Sequence, residues 1–120
     1  MPEIALSLLV IKTHQRDKHK DFYSTLGLEF VEEQHGSGPL HYAAKLSHGV
    51  FEIYPLPDEA ESDSSTRVGF NVLDLATTLT TLHNAGFCEP KSPKQTPWGL
   101  RAVVHDPDGH AVELYQSPDP

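Results

Sequence analysis

The chain has 120 residues, enough for one domain with a sizeable core. A formal net charge of −8 at pH 7 argues against a nucleic-acid partner, favours solubility and would draw cationic ligands. No apolar run reaches the length of a membrane span and no basic-then-apolar leader opens the chain. The single cysteine, Cys88, excludes an internal disulfide, so a cytoplasmic protein is expected.

Ile4–Lys12 is a run of leucine and β-branched residues and predicts a strand. Thr13 is a suitable N-cap for a helix over 14–26, with Phe22, Tyr23 and Leu26 on its apolar face and Gly27 as its stop. Leu28–Glu33 reads as a strand. Leu40–Leu46 and Val50–Tyr54 read as a hairpin around Ser47-His48-Gly49. Residues 57–65 lack periodicity and form a linker between a module over about 4–56 and a second over about 66–117, within one domain. In the second module Arg67–Leu73 predicts a strand. Asp74 caps a helix with Leu75, Leu79 and Leu82 on one stripe, and Gly86 ends it. Phe87–Lys91 reads as a short strand and Ser92–Gly99 as a loop. Leu100–His105 and Ala111–Tyr115 flank the turn sequence Asp106-Pro107-Asp108-Gly109.

The order βαβββ thus occurs twice, and one stretch is nearly repeated. Residues 51–58 read Phe-Glu-Ile-Tyr-Pro-Leu-Pro-Asp and residues 112–119 read Val-Glu-Leu-Tyr-Gln-Ser-Pro-Asp. An offset of 61 in a chain of 120 implies two copies of one structural unit, with Glu52 and Glu113 in equivalent places. Alternation along the strands buries Phe51, Ile53, Val112 and Leu114 beneath the helices. Glu52, Tyr54, Glu113 and Tyr115 then share the other face with Leu8, Arg67 and Asn71.

Four stretches carry a resemblance to the vicinal oxygen chelate superfamily, which includes glyoxalases, bleomycin resistance proteins and extradiol dioxygenases. They are 21–28, 49–53, the helix unit from Asn71-Val72 to Asn84-Ala85-Gly86-Phe87, and 97–114 with its Asp106-Pro107-Asp108-Gly109-His110 turn. The resemblance implies an α+β fold of two tandem βαβββ modules, with curved mixed sheets around a cavity and helices on the convex face. A homodimer is expected, because two short curved sheets leave a large apolar concave surface to cover. Enzymes of the family hold a divalent metal with His or Glu from the first and last strands of each module. The matching seats here are Leu8, Glu52, Arg67 and Glu113. Leu8 has no donor atom, and the guanidinium of Arg67 is permanently cationic with no lone pair to give. Two carboxylates alone are a poor zinc, nickel or iron site, so no metal or other cofactor is expected there. Arg67 is expected to fill the metal's electrostatic place, either bridging Glu52 and Glu113 or pairing with one of them.

None of the eight histidines stands in an HxH, HxxxH or HExxH pattern, and none is expected to be a metal ligand. His14, His35, His48 and His110 lie at turns, and His19 and His83 on helices; His41 and His105 lie on strands and can face either way. Trp98 reads equally as an aromatic wall at the cavity mouth and as a cap on the core. Lys12, Arg16, Lys18 and Lys20 read as a solvated helix face, and Cys88 as a buried, inert thiol. No phosphate-binding glycine loop or Gly-x-Ser-x-Gly elbow is present.

Three readings remain, the last of them an interaction or regulatory domain whose cavity is vestigial. The first is a metal-free protein of the bleomycin-resistance type that binds a small organic ligand, cationic or aromatic, through Leu8, Glu52, Tyr54, Arg67, Asn71, Trp98, Glu113 and Tyr115. The second is a glyoxalase-like lyase or isomerase with Glu113 as general base and Glu52 as its partner, with or without a divalent metal.

Overall fold

The structure, a computed structural model, describes residues 4–117. Pro118 and Asp119, which close the second copy of the repeat, lie outside the described residues. The chain divides into two units, Met1–Ser62 and Asp63–Pro120. Each contains one helix and a four-stranded mixed sheet, as the two-module fold requires.

The first unit comprises β1 (Leu8–Thr13), α1 (Arg16–Leu26), β2 (Phe30–Glu33), β3 (His41–Lys45) and β4 (Val50–Pro55), in sheet order β1-β4-β3-β2. The second comprises β5 (Arg67–Asn71), α2 (Leu75–Asn84), β6 (Lys94–Thr96), β7 (Gly99–His105) and β8 (Ala111–Gln116), in sheet order β5-β8-β7-β6. In each unit the first and last strands pair in parallel and the remaining pairs are antiparallel.

The registers repeat as closely as the order does. Leu8 lies across from Val50 and Val10 from Glu52. Arg67 lies across from Ala111 and Gly69 from Glu113. Residues directly across a ladder share a face, so each glutamate has the same backbone setting. Phe51 and Ile53 are fully buried under Phe22 and Tyr23 of α1, with the Tyr23 and Phe51 rings edge-to-face at 4.8 Å. Val112 and Leu114 are buried in turn, with Leu75, Leu79 and Leu82 of α2. The intervening residues of β4 and β8 point to the face that carries no helix.

A glycine with positive φ closes the turn after each helix, Gly27 at 120° as the C-cap of α1 and Gly86 at 85° one residue past the Ala85 C-cap of α2, where other residues would be strained. Their starts differ. The Asp74 carboxylate accepts from the Thr77 N–H at 3.1 Å, a side-chain N-cap. Thr13 does not cap α1 directly; its hydroxyl accepts from the Gln15 N–H at 3.0 Å and the helix begins two residues later than the sequence predicts.

Other boundaries move too. β1 begins at Leu8 rather than Ile4, although the Ser7 carbonyl still accepts from the Val50 N–H. Phe87–Lys91 is not a strand. The fourth strand of the second sheet is instead Lys94–Thr96, inside the segment expected to be loop. Pro90 has no N–H to give a ladder, whereas Lys94–Thr96 fits between Pro93 and Pro97 with its amides free to pair with β7.

Candidate functional site

In the second unit, Glu113 stands at the centre of a ring of donors. Arg67 donates to its Oε2. Arg101 donates to Oε1 at 2.9 Å, and so does the Tyr115 hydroxyl at 2.9 Å. Arg101 also donates through Nε to the Tyr115 hydroxyl oxygen at 3.1 Å. The carboxylate is largely covered, with 13% of its side-chain surface exposed, whereas Arg67 is 66% exposed. Three donors occupy most of the lone pairs that a carboxylate offers, and two of them are full positive charges.

Arg67 therefore pairs with Glu113, one of the two arrangements the sequence allowed. Arg101 was missed. Its role depends on the β7–β8 register, which sets it opposite Tyr115. Alternation along Leu100–His105 was the available signal, since Arg101 is the one cation on the strand's outward parity.

In the first unit, Glu52 has different company. Its Oε2 lies 3.8 Å from Nε2 of His41, and Oε1 of Glu33 lies 3.4 Å from the same nitrogen. The His41 ring stacks on Tyr54 with centroids 4.0 Å apart and planes 9° from parallel. His41 is buried, 1% exposed, on the face shared with Glu52. His35, in the β2–β3 turn, brings its ring centroid to 5.1 Å from that of His41. Burial raises the Tyr54 hydroxyl above its ordinary pKa, and the charges of Glu52 and Glu33 push it further the same way. Beside this cluster, Val31, Ala43 and Lys45 line a cavity of about 400 Å³ with Gly27, Leu28 and Glu29. Ala43 lies directly across from Glu52.

The remaining expected residues are spread more widely. Leu8 shares the face of Glu52 but lies across from Val50; Val10 is the residue opposite the carboxylate. Leu8 and Val10 at one edge of the sheet and Val31 at the other are exposed apolar residues on that face, at 51%, 36% and 59%. Asn71 is exposed opposite Tyr115 at the end of β5. Trp98, in the turn between β6 and β7, is 75% exposed and so does not cap the core. By register, His105 shares the face of Glu113 at the end of β7 and is exposed.

Two further expectations change in detail. Arg16 is half-buried rather than simply solvated: it donates to the Leu40 carbonyl at 2.6 Å, and with Lys20 it lies over the Tyr42 ring. Cys88 is half-buried rather than buried, and that burial raises the pKa of its thiol.

His110 has a structural post. It is buried, its Nδ1 donates to Asp106 at 2.8 Å, and its Nε2 lies 3.2 Å from Asp63. Asp106 also accepts from the amides of Asp108 and His110, which closes the β7–β8 turn.

The topology and the paired central glutamates define a two-module βαβββ protein. Residues 6–114 match the model of the Glyoxalase/Bleomycin resistance protein/Dioxygenase superfamily, and the chain belongs to that superfamily. Solved structures with the same fold include TnmS3, an antibiotic binding protein from Streptomyces sp. CB03234, at 24% identity and TM-score 0.73. That alignment covers 98% of this chain and 99% of the other. The bleomycin resistance determinant encoded on the transposon Tn5 aligns at 20% identity and TM-score 0.69, covering 97% and 100%. A glyoxalase/bleomycin resistance protein, also from Streptomyces sp. CB03234, aligns at 24% identity and TM-score 0.70, covering 93% and 100%. No curated protein matches the sequence. Among the described residues, no helix is long and apolar enough to cross a membrane.

Proposed function

We propose that this protein binds a small organic ligand, cationic or aromatic, without a divalent metal at the Leu8, Glu52, Arg67 and Glu113 seats. The observation that carries this reading is the filling of Glu113 by Arg67, Arg101 and Tyr115. A metal at Glu113 would have to displace two guanidinium groups. The same filling argues against the lyase or isomerase reading, because a general base needs a free lone pair aimed at the substrate proton.

Ligand recognition then falls chiefly to the first unit. Glu52 supplies negative charge, Tyr54 a ring and a hydroxyl, and Leu8, Val10 and Val31 apolar surface. The adjacent 400 Å³ cavity is within the range that small-molecule sites occupy. Antibiotic binding by TnmS3 supports this class of ligand. A homodimer is part of the proposal: a second copy would cover the exposed Leu8 and Val10 of β1. A cytoplasmic location fits the lone cysteine.

Calorimetric titration with bleomycin and with simpler cationic aromatic compounds tests the reading. One saturable, unaltered ligand per site is expected. Glu52→Gln should weaken a cationic ligand about tenfold, the value of one charge-assisted hydrogen bond, and Glu113→Gln should weaken it less. Catalytic turnover of any titrated compound, abolished by Glu113→Gln, would restore the enzyme reading.

A further inference from the structure

His41 presents a buried ring nitrogen that no hydrogen bond satisfies. Its Nδ1 lies 3.2 Å from the carbonyl oxygen of Pro39. A carbonyl only accepts, so Nδ1 donates there and Nε2 is the nitrogen left facing the other way. That Nε2 is buried and has no hydrogen-bond partner among the described residues. It faces two carboxylates, with Glu33 Oε1 at 3.4 Å and Glu52 Oε2 at 3.8 Å. A buried, unsatisfied nitrogen beside two carboxylates is a costly arrangement unless a cation, a proton or a metal ion, lies between them.

The same Glu33 oxygen lies 3.6 Å from Nε2 of His35. One ligand atom from each of Glu33, His35 and His41 lies within 4.8 Å of the others. A tetrahedral zinc site with bonds of about 2.0–2.1 Å places its ligand atoms roughly 3.3 Å apart, so two of these separations already fit. The Pro39 carbonyl holds the His41 ring in the way that hydrogen bonds on the far nitrogen orient metal-ligating histidines elsewhere.

From this geometry we propose that Glu33, His35 and His41 form a binding site for a divalent transition metal of the zinc class. The site lies at the mouth of the β2–β3 hairpin. It shares no ligand with Leu8, Arg67 or Glu113, and it stands whether or not the ligand-binding reading holds. Three residues of one short segment suffice because the β2–β3 register sets Glu33 directly across from His41, and the turn returns His35 to the same end.

The test uses untagged, metal-stripped protein titrated with zinc in a calorimeter and with cobalt in a spectrophotometer. One equivalent of zinc is expected, together with cobalt d–d absorption of tetrahedral or five-coordinate intensity. His35→Ala is the first variant, because His35 is largely exposed and its loss should not disturb folding. It should weaken binding at least about tenfold, more than loss of a typical supporting hydrogen bond does at the low end. Glu33→Gln should do the same, and Glu89→Gln, at an exposed carboxylate of the second unit, should leave the affinity unchanged. Failure of the wild-type protein to bind zinc or cobalt would overturn the proposal. So would binding that survives His35→Ala and Glu33→Gln, or binding lost with Glu89→Gln. Organic-ligand titration is a separate readout, so failure of the metal site is distinguishable from failure of the proposed function.

Discussion

Glu52 and Glu113 occupy the same place in two copies of one sheet, yet they keep different company. Each lies on the last strand of its unit, across a parallel ladder from β1 or β5. Glu113 is met by two arginines and a tyrosine hydroxyl, and its charge is balanced. Glu52 lies 3.8 Å from Nε2 of His41, a nitrogen it shares with a second carboxylate, Glu33. The repeated backbone fixes where the carboxylates stand. The residues at neighbouring positions decide whether each is a closed ion pair or an open seat for a cation.

The largest effect that distinguishes the halves should come from their cores. Phe51 and Val112 are equivalent and both fully buried. Phe51→Ala should cost about 3–5 kcal/mol and Val112→Ala clearly less, because a ring leaves a larger cavity than a pair of methyl groups. Urea unfolding measures both. Comparable losses would mean that the first core collapses around the missing ring.

The donor ring of Glu113 should show next. Arg101 makes two hydrogen bonds and is about one-third exposed, whereas Arg67 is mostly exposed. Arg101→Ala should cost about 1–2 kcal/mol and Arg67→Ala no more than about 0.5 kcal/mol, since solvent screens the outer pair. Thermal melting of both single variants and the double variant separates the two contributions.

The helix starts provide a smaller contrast. Asp74→Ala removes a side-chain cap and should cost about 1 kcal/mol. Gln15→Ala at the start of α1 should cost less, since its side chain makes no capping bond. Helix content by circular dichroism on approach to the melting point reads both.

The last effect is confined to acid. Hydrogen bonds from the hydroxyl and amide groups of Thr66 and Ser65 hold the Asp63 carboxyl well below its ordinary value of 3.8. Its contribution is therefore complete above 3.8 and declines as pH falls below it, because the unfolded chain takes up the proton first. The difference in melting temperature between wild type and Asp63→Asn should shrink below that pH. The first unit contains no counterpart of this Asp-Ser-Ser-Thr turn.

Much of this was legible in the sequence, and what was not has a common cause. Alternation in Phe51–Tyr54 and Val112–Tyr115 sets buried against outward residues without any knowledge of partners. The glycines at 27 and 86 mark the helix ends, because few other residues tolerate their backbone conformation. Arg101 and the Glu33–His35–His41 cluster were hidden because they depend on register between strands. No HxH or HxxxH spacing announces two histidines that a hairpin turn brings together. β6 was misplaced for a related reason: three residues between prolines have no periodicity to read, and only pairing with β7 makes them a strand.

The pairing scheme also bears on how the chain acquires its structure in time. Every ladder closes within one unit, and the longest-range pairing in each joins residues roughly forty positions apart. The entropic cost of closure is therefore met twice over short loops rather than once over the whole chain, which favours a faster search. During synthesis, all four strands of the first sheet are available before the second helix is made. Pulse-labelled hydrogen exchange during refolding should accordingly find the amides of β1 and β4 becoming protected together, on a schedule separate from those of β5 and β8.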